Sequence, residues 1–109
     1  MLWHTRNEND IIKYLKARKR GSGADGIDQN GIPFEVRESK KTPKFRIQKD
    51  VHDYLLQHDG YYIFKRGHFL VKVPANIVTT LLKKGKWNKD RGYDYKFLDF
   101  KKLLITPTG

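Results

Sequence analysis

Apolar positions along the chain first gather at Ile11, Ile12 and Leu15, a helical spacing. Asn7 or Asn9 stands where a cap belongs. Glu8 and Asp10 fall in the first turn and Arg18, Lys19 and Arg20 in the last, the charge order a helix dipole favours. The pattern predicts a helix running to about Lys19, ended by the Gly21-Ser22-Gly23 loop. Ile27 then opens a short strand, and Asn30-Gly31 is a strong signal for a two-residue hairpin turn. On the return strand, Ile32 to Glu38, the period is two: Phe34 and Val36 face one way, Glu35 and Arg37 the other. Pro33 cannot donate to a ladder, so an edge or a bulge is expected near the turn.

Ile47, Val51, Tyr54, Leu55 and His58 follow a helical period, and Asp59-Gly60 stops it. Tyr61 to Phe64 and Phe69 to Val73 read as two strands joined around Arg66-Gly67. Pro74 opens another helix with Ile77, Val78, Leu81 and Leu82 on its face. A cation-rich loop, Lys83 to Arg91, precedes a strand from Tyr93 to Leu98, and a helical turn from Asp99 to Leu104 follows. The order α-β-β-α-β-β-α-β-α describes an α/β fold, one domain over residues 1–109, with a mixed sheet flanked by helices.

Charge narrows the partners. The 109 residues carry 23 Lys and Arg against 12 Asp and Glu, a formal net charge of +11. A dense phosphate array rewards such a surface through counterion release, so nucleic acid is the first expectation and an anionic membrane the weaker one. No apolar run approaches the ~20 residues of a membrane span, and no long apolar leader core is present. The chain has no cysteine, which excludes disulfides, thiolate metal sites and a Cys nucleophile. A cytoplasmic, intracellular protein is expected.

The chemistry-bearing segment is 21–37. Asp25 and Asp28 precede a strand that carries Glu35 and, two residues on, Arg37. Carboxylates and a backbone carbonyl suit Mg²⁺ or Mn²⁺, which prefer hard oxygen donors. Such an ion activates water and neutralises charge on a phosphodiester, while a cation on the same strand face orients the water or the phosphate. Glu8 shares a helix face with Ile11 and Ile12, an unusual place for an acid.

These residues resemble the PD-(D/E)xK nuclease superfamily, whose small members include archaeal-type Holliday-junction resolvases. Ala24-Asp25 looks like the family's Pro-Asp step and Glu35-Val36-Arg37 like its Glu-x-Lys step, over roughly residues 7 to 73. The resemblance implies a restriction-endonuclease-like core (α-β-β-α-β) and a metal-dependent endodeoxyribonuclease selective for DNA structure. It implies a metal held by Asp25, Glu35 and the Val36 carbonyl, with Glu8 as an outer acid and Arg37 handling water and phosphate. Lys19, Arg20, Lys40, Lys41, Lys44 and Arg46 would flank DNA, and a two-fold homodimer would be needed to cut a junction. Two departures stand out. The cation is Arg37, which cannot lose its proton as Lys can. The stretch before Asp25 is also too short for the strand many resolvases have there.

Alternatives remain. An ideal two-residue hairpin puts Asp28 on the face of Glu35, whereas the family pattern selects Asp25; Asp25 is preferred. Asp25, Asp28, Asn30 and Gly31 also read as plain turn formers, and Glu35 with Arg37 as a solvated ion pair. Gln48, His52 and His58 read as ordinary polar or core-edge residues. Lys83 to Arg91, interleaved with Trp87 and followed by Tyr93, is either a solvated loop or a grip for a backbone and an unpaired base. The rival function is a DNA-binding module that has the fold but not the catalysis.

Overall fold

Two sheets, interleaved along the chain, share one apolar core. The computed structural model describes residues 18–19, as backbone, and 24–104. In order these form β1 (Arg18–Lys19), β2 (Gly26–Ile27), β3 (Pro33–Glu38), β4 (Lys44–Gln48), α1 (Lys49–Gln57), β5 (Tyr61–Arg66) and β6 (Phe69–Pro74). Then follow α2 (Ala75–Leu81), β7 (Asn88–Asp90), β8 (Tyr93–Asp99) and α3 (Phe100–Leu104). The larger sheet has five strands ordered β1-β2-β3-β5-β6, and the smaller has three, ordered β4-β8-β7. β3 pairs antiparallel with β2 and parallel with β5, so the larger sheet is mixed. The molecule is a mixed α/β domain.

β5 is covered on both faces, which explains its apolar run from Tyr61 to Phe64, whereas β3 is buried over Pro33 to Val36 with Glu35 among the apolar residues. Tyr62, Phe64, Val71 and Val73 look toward α1 and the smaller sheet, where Phe45, Ile47, Leu55 and Leu98 meet them. The Phe45 and Phe64 rings tilt against each other at 4.9 Å. Phe34, Val36, Tyr61, Ile63 and Leu70 form a second buried cluster. Phe34 and Val36 separate from Glu35 and Arg37 as the alternation requires.

The end of α1 is a Schellman turn. Gly60 N–H bonds the Leu55 carbonyl at 2.6 Å and Asp59 N–H the Leu56 carbonyl at 3.5 Å. Asp59 takes the left-handed conformation, φ 54°, where glycine is usual. Glycine is needed one residue later instead. A Cβ at Gly60 would lie 2.7 Å from Leu55 Cδ2 and 2.7 Å from the Pro33 carbonyl oxygen.

Several expectations are corrected. The first helix lies mostly outside the described residues, but its expected end, Arg18–Lys19, is a strand paired with β2. A strand therefore does precede Asp25, despite the short connection. Ile47 belongs to β4 and not to a helix: Lys44–Gln48 buries Phe45 and Ile47 alternately, a strand's period, and the helix starts at Lys49. The mixed sheet is one of two sheets. The basic loop Lys83 to Arg91 ends in a strand, β7, which turns into β8 through Arg91 and Gly92 with φ of 51° and 85°. Among the described residues no helix is long and apolar enough to cross a membrane.

Candidate metal centre

The hairpin turn decides which acid meets Glu35. Asp28 N–H bonds the Ile32 carbonyl and Gly31 N–H the Asp28 carbonyl, both at 3.0 Å. Three residues, Gln29, Asn30 and Gly31, thus make the loop, with Gly31 at φ 78° supplying the left-handed position. The extra residue moves the register from the two-residue expectation: Gly26 pairs with Phe34 and Ile27 with Pro33. Because Asp28 and Ile32 are a bonded pair, alternation makes Ile27 and Pro33 a non-bonded one, so proline's missing N–H costs nothing on that side.

Asp28 is then consumed by the fold. Its Oδ1 accepts from the N–H groups of Asn30 at 2.9 Å and Ile32 at 3.0 Å. Its Oδ2 accepts from the Tyr61 hydroxyl at 2.9 Å. Burial, followed by the bond to Asp28, pushes the Tyr61 phenol far above its usual value. Asp28 thus faces the Phe34–Tyr61 side, away from Glu35.

Asp25 sits one step beyond the last β2–β3 pair. Its N–H donates to the Phe34 carbonyl at 3.0 Å, although Gly26 is the residue paired with Phe34. Two residues against one is the geometry of a bulge. From there the Asp25 carboxylate accepts the Val36 N–H at 2.7 Å. Its two contacts with β3 bracket Glu35.

Glu35 is buried, and its side chain is only 10% exposed. Arg37 Nη1 lies 3.8 Å from Glu35 Oε2, and Arg37 Nε is buried without a hydrogen-bond partner. Across the parallel ladder Glu35 stands beside Tyr62. The Tyr62 hydroxyl is 2.9 Å from His52 Nδ1, and His52 Nε2 is 2.8 Å from Thr79 Oγ1. Thr79 donates to the Ala75 carbonyl at 3.3 Å, so its oxygen accepts from His52 Nε2–H, leaving Nδ1 to accept from Tyr62. Burial holds the His52 pKa below its ordinary value, consistent with a neutral ring. Burial first, and Glu35 second, push the Tyr62 phenol up. His52, read from sequence as an ordinary core-edge residue, is a link from the Glu35 face to α2. Only the β3–β5 register reveals it.

Asp25, Glu35, Val36 and Arg37 are therefore brought together. Glu8 and Arg20 lie outside the described residues, and Lys19 is described only as backbone. Among the described residues no three acidic or histidine side chains form a metal-holding group. Lys40 and Lys41 are exposed just after β3. Lys44 and Arg46 belong to the smaller sheet, where Arg46 reaches Asp90 at 3.4 Å and stacks 4.2 Å above the Tyr95 ring. The apolar residues of β5 and β6 are mostly buried within the chain.

No family model and no curated protein matches this chain. What the site can do rests on its own chemistry.

Proposed function

We propose that the chain is a metal-dependent endodeoxyribonuclease with a restriction-endonuclease-like core, selective for DNA structure. The observation that carries this reading is the Asp25 carboxylate on the Val36 N–H, beside a buried Glu35. Asp25 contacts β3 on both sides of Glu35, so a cation held there would offset the like charge of the two carboxylates. The N–H and C=O of one strand residue point to the same side. The Val36 carbonyl is thus directed toward Asp25, where β2 has ended, and not into the ladder with β5. Asp25, Glu35 and that carbonyl make a hard-oxygen set suited to Mg²⁺ or Mn²⁺. A bound ion would supply charge neutralisation at the scissile phosphate and a more acidic water. Arg37 pairs with Glu35 through Nη1, and its side chain is partly exposed, so the guanidinium can also hold a phosphate oxygen. The antiparallel β2–β3 pair, followed by a helical crossover to a parallel β5, is the order an α-β-β-α-β core needs. Basic residues after β3 suit a DNA flank, and cutting both strands of a junction requires a homodimer.

A second reading has its own observation. Arg37 stands where the resembled family has Lys and is tied to Glu35, which favours a DNA-binding module without catalysis. Labelled four-way-junction and plain duplex DNA, incubated with Mg²⁺, Mn²⁺ or EDTA, separate the two. Metal-dependent cutting that disappears in Glu35→Ala supports the nuclease, and preference for the junction supports the resolvase class. Salt-sensitive binding without cutting under any metal rejects the enzyme and leaves the binding module.

A further inference from the structure

Apart from Lys44 and Arg46, the outer face of the smaller sheet has no part in the site above, and its composition is unusual. Tyr93, Tyr95 and Phe97 alternate along β8, so all three project from one face. On the opposite face Phe45, Ile47 and Leu98 are fully buried in the core. Tyr93 is 52% exposed and Phe97 48% exposed. Tyr95 and Phe97 meet edge to face at 5.4 Å, and Arg46 stacks on Tyr95 from the neighbouring strand. Phe97 also lines a cleft of about 690 Å³. Six lysines surround that cleft: Lys44, Lys83, Lys84, Lys86, Lys96 and Lys102, against one acid, Asp99. Lys96 is anchored, donating to the Lys83 carbonyl at 2.7 Å and lying 4.9 Å from the Trp87 ring centroid. It fixes the basic loop against the sheet.

We propose that this cleft binds an unpaired segment of nucleic acid, with a base stacked on Phe97 and phosphates among the lysines. The inference rests on the nucleic-acid reading of the chain and adds a second, non-catalytic surface to it. Charge selects the occupant: a concavity with six cations and one acid repels a basic partner and attracts a polyanion. The exposed rings refine the choice. A duplex hides its base faces, whereas a single strand offers one to every aromatic side chain.

Binding of a fluorescent oligothymidylate, an abasic strand of equal length and a hairpin duplex tests this by anisotropy. The wild-type protein is expected to hold oligothymidylate more tightly than the abasic strand. Phe97→Ala is expected to weaken oligothymidylate roughly tenfold, as for the removal of one stack, and to leave the abasic strand unchanged. Phe97→Leu, which keeps an apolar side chain but no ring, acts the same way and guards against a folding defect in the Ala variant. Lys83→Glu with Lys84→Glu weakens both strands and lowers the salt slope by about 0.7 for each phosphate no longer neutralised. Equal affinity for the base-bearing and abasic strands, or no effect of either substitution at Phe97, overturns the inference. If duplex is still cut in a metal-dependent way, that failure is confined to this surface. If none of the three nucleic acids binds, both readings fall.

Discussion

Asp25 does two jobs in the proposed site, and substitutions separate them. Its carboxylate accepts the Val36 N–H at 2.7 Å, on a residue only 7% exposed. Asp25→Ala removes the acceptor and leaves that amide unpaired, a loss of about 2 kcal/mol for a hydrogen bond to a charged group. Asp25→Asn keeps a carbonyl oxygen of the same reach, and a neutral bond retains about 1 kcal/mol of the stabilisation. The Asn protein is therefore expected within about 1 kcal/mol of wild type. In a domain of this size 1 kcal/mol moves Tm by roughly 4–8 °C. The Ala protein should therefore melt roughly 8–16 °C lower and the Asn protein by less than half of that. Urea unfolding at constant m-value gives the free energies directly. Function is read on the same samples: Mg²⁺ at ten times its Kd should stabilise wild type by about 1.4 kcal/mol and neither variant. Both variants should fail to cut DNA at a temperature where they are folded. An Ala protein as stable as the Asn protein would refute the hydrogen-bond account. An Asn protein that still responds to Mg²⁺ and still cuts would refute Asp25 as a ligand.

Other positions give independent checks. Gly60→Ala forces a Cβ within 2.7 Å of the Pro33 carbonyl oxygen, a backbone atom that cannot rotate away; a loss of about 1–3 kcal/mol is expected on urea unfolding. Asp59→Gly, one residue earlier, relieves a left-handed φ of 54° and should stabilise by about 1 kcal/mol in the same assay. Burial lowers the folded-state pKa of His52, with Asp53 opposing and Lys49 assisting. The unfolded chain therefore binds the proton more readily. The His52 contribution is fully present above about pH 6.5 and is lost as pH falls from there through the folded pKa. Protonation also turns Nδ1 into a donor and breaks its bond from Tyr62. Wild type should lose stability between pH 7 and 5 more steeply than His52→Gln, by at most about 1.4 kcal/mol per pH unit, and parallel pH profiles would refute this.

Much of this was legible where one residue's surroundings come from its immediate neighbours. The alternation of Phe34, Glu35, Val36 and Arg37 shows in the sequence because β3 is a regular strand. The stop after α1 shows because Asp59-Gly60 has a local conformational reason. What the sequence hid was register. Asn30-Gly31 fits both a two-residue and a three-residue loop, and that single residue decides whether Asp25 or Asp28 stands beside Glu35. β4 was hidden for a related reason. Ile47, Val51 and Tyr54 satisfy a helical spacing by coincidence, and the period-two signal of Phe45 and Ile47 is only two residues strong. The Tyr62–His52–Thr79 chain joins three elements through side chains whose meeting depends on the crossover from β3 to β5.

That crossover has a consequence for how the molecule comes apart. β4 enters the smaller sheet between two adjacent strands of the larger one, and β7 and β8 return to it only after β5 and β6 are laid down. Neither sheet is a continuous stretch of chain, so no single cut releases one intact. A chain ending before β7 would leave β4 without its partner β8 and Phe45 and Ile47 without the cover of Leu98. Amide exchange from the centres of both sheets should thus follow one shared opening, and a protease that nicks the basic loop after α2 should meet a molecule held together by its core.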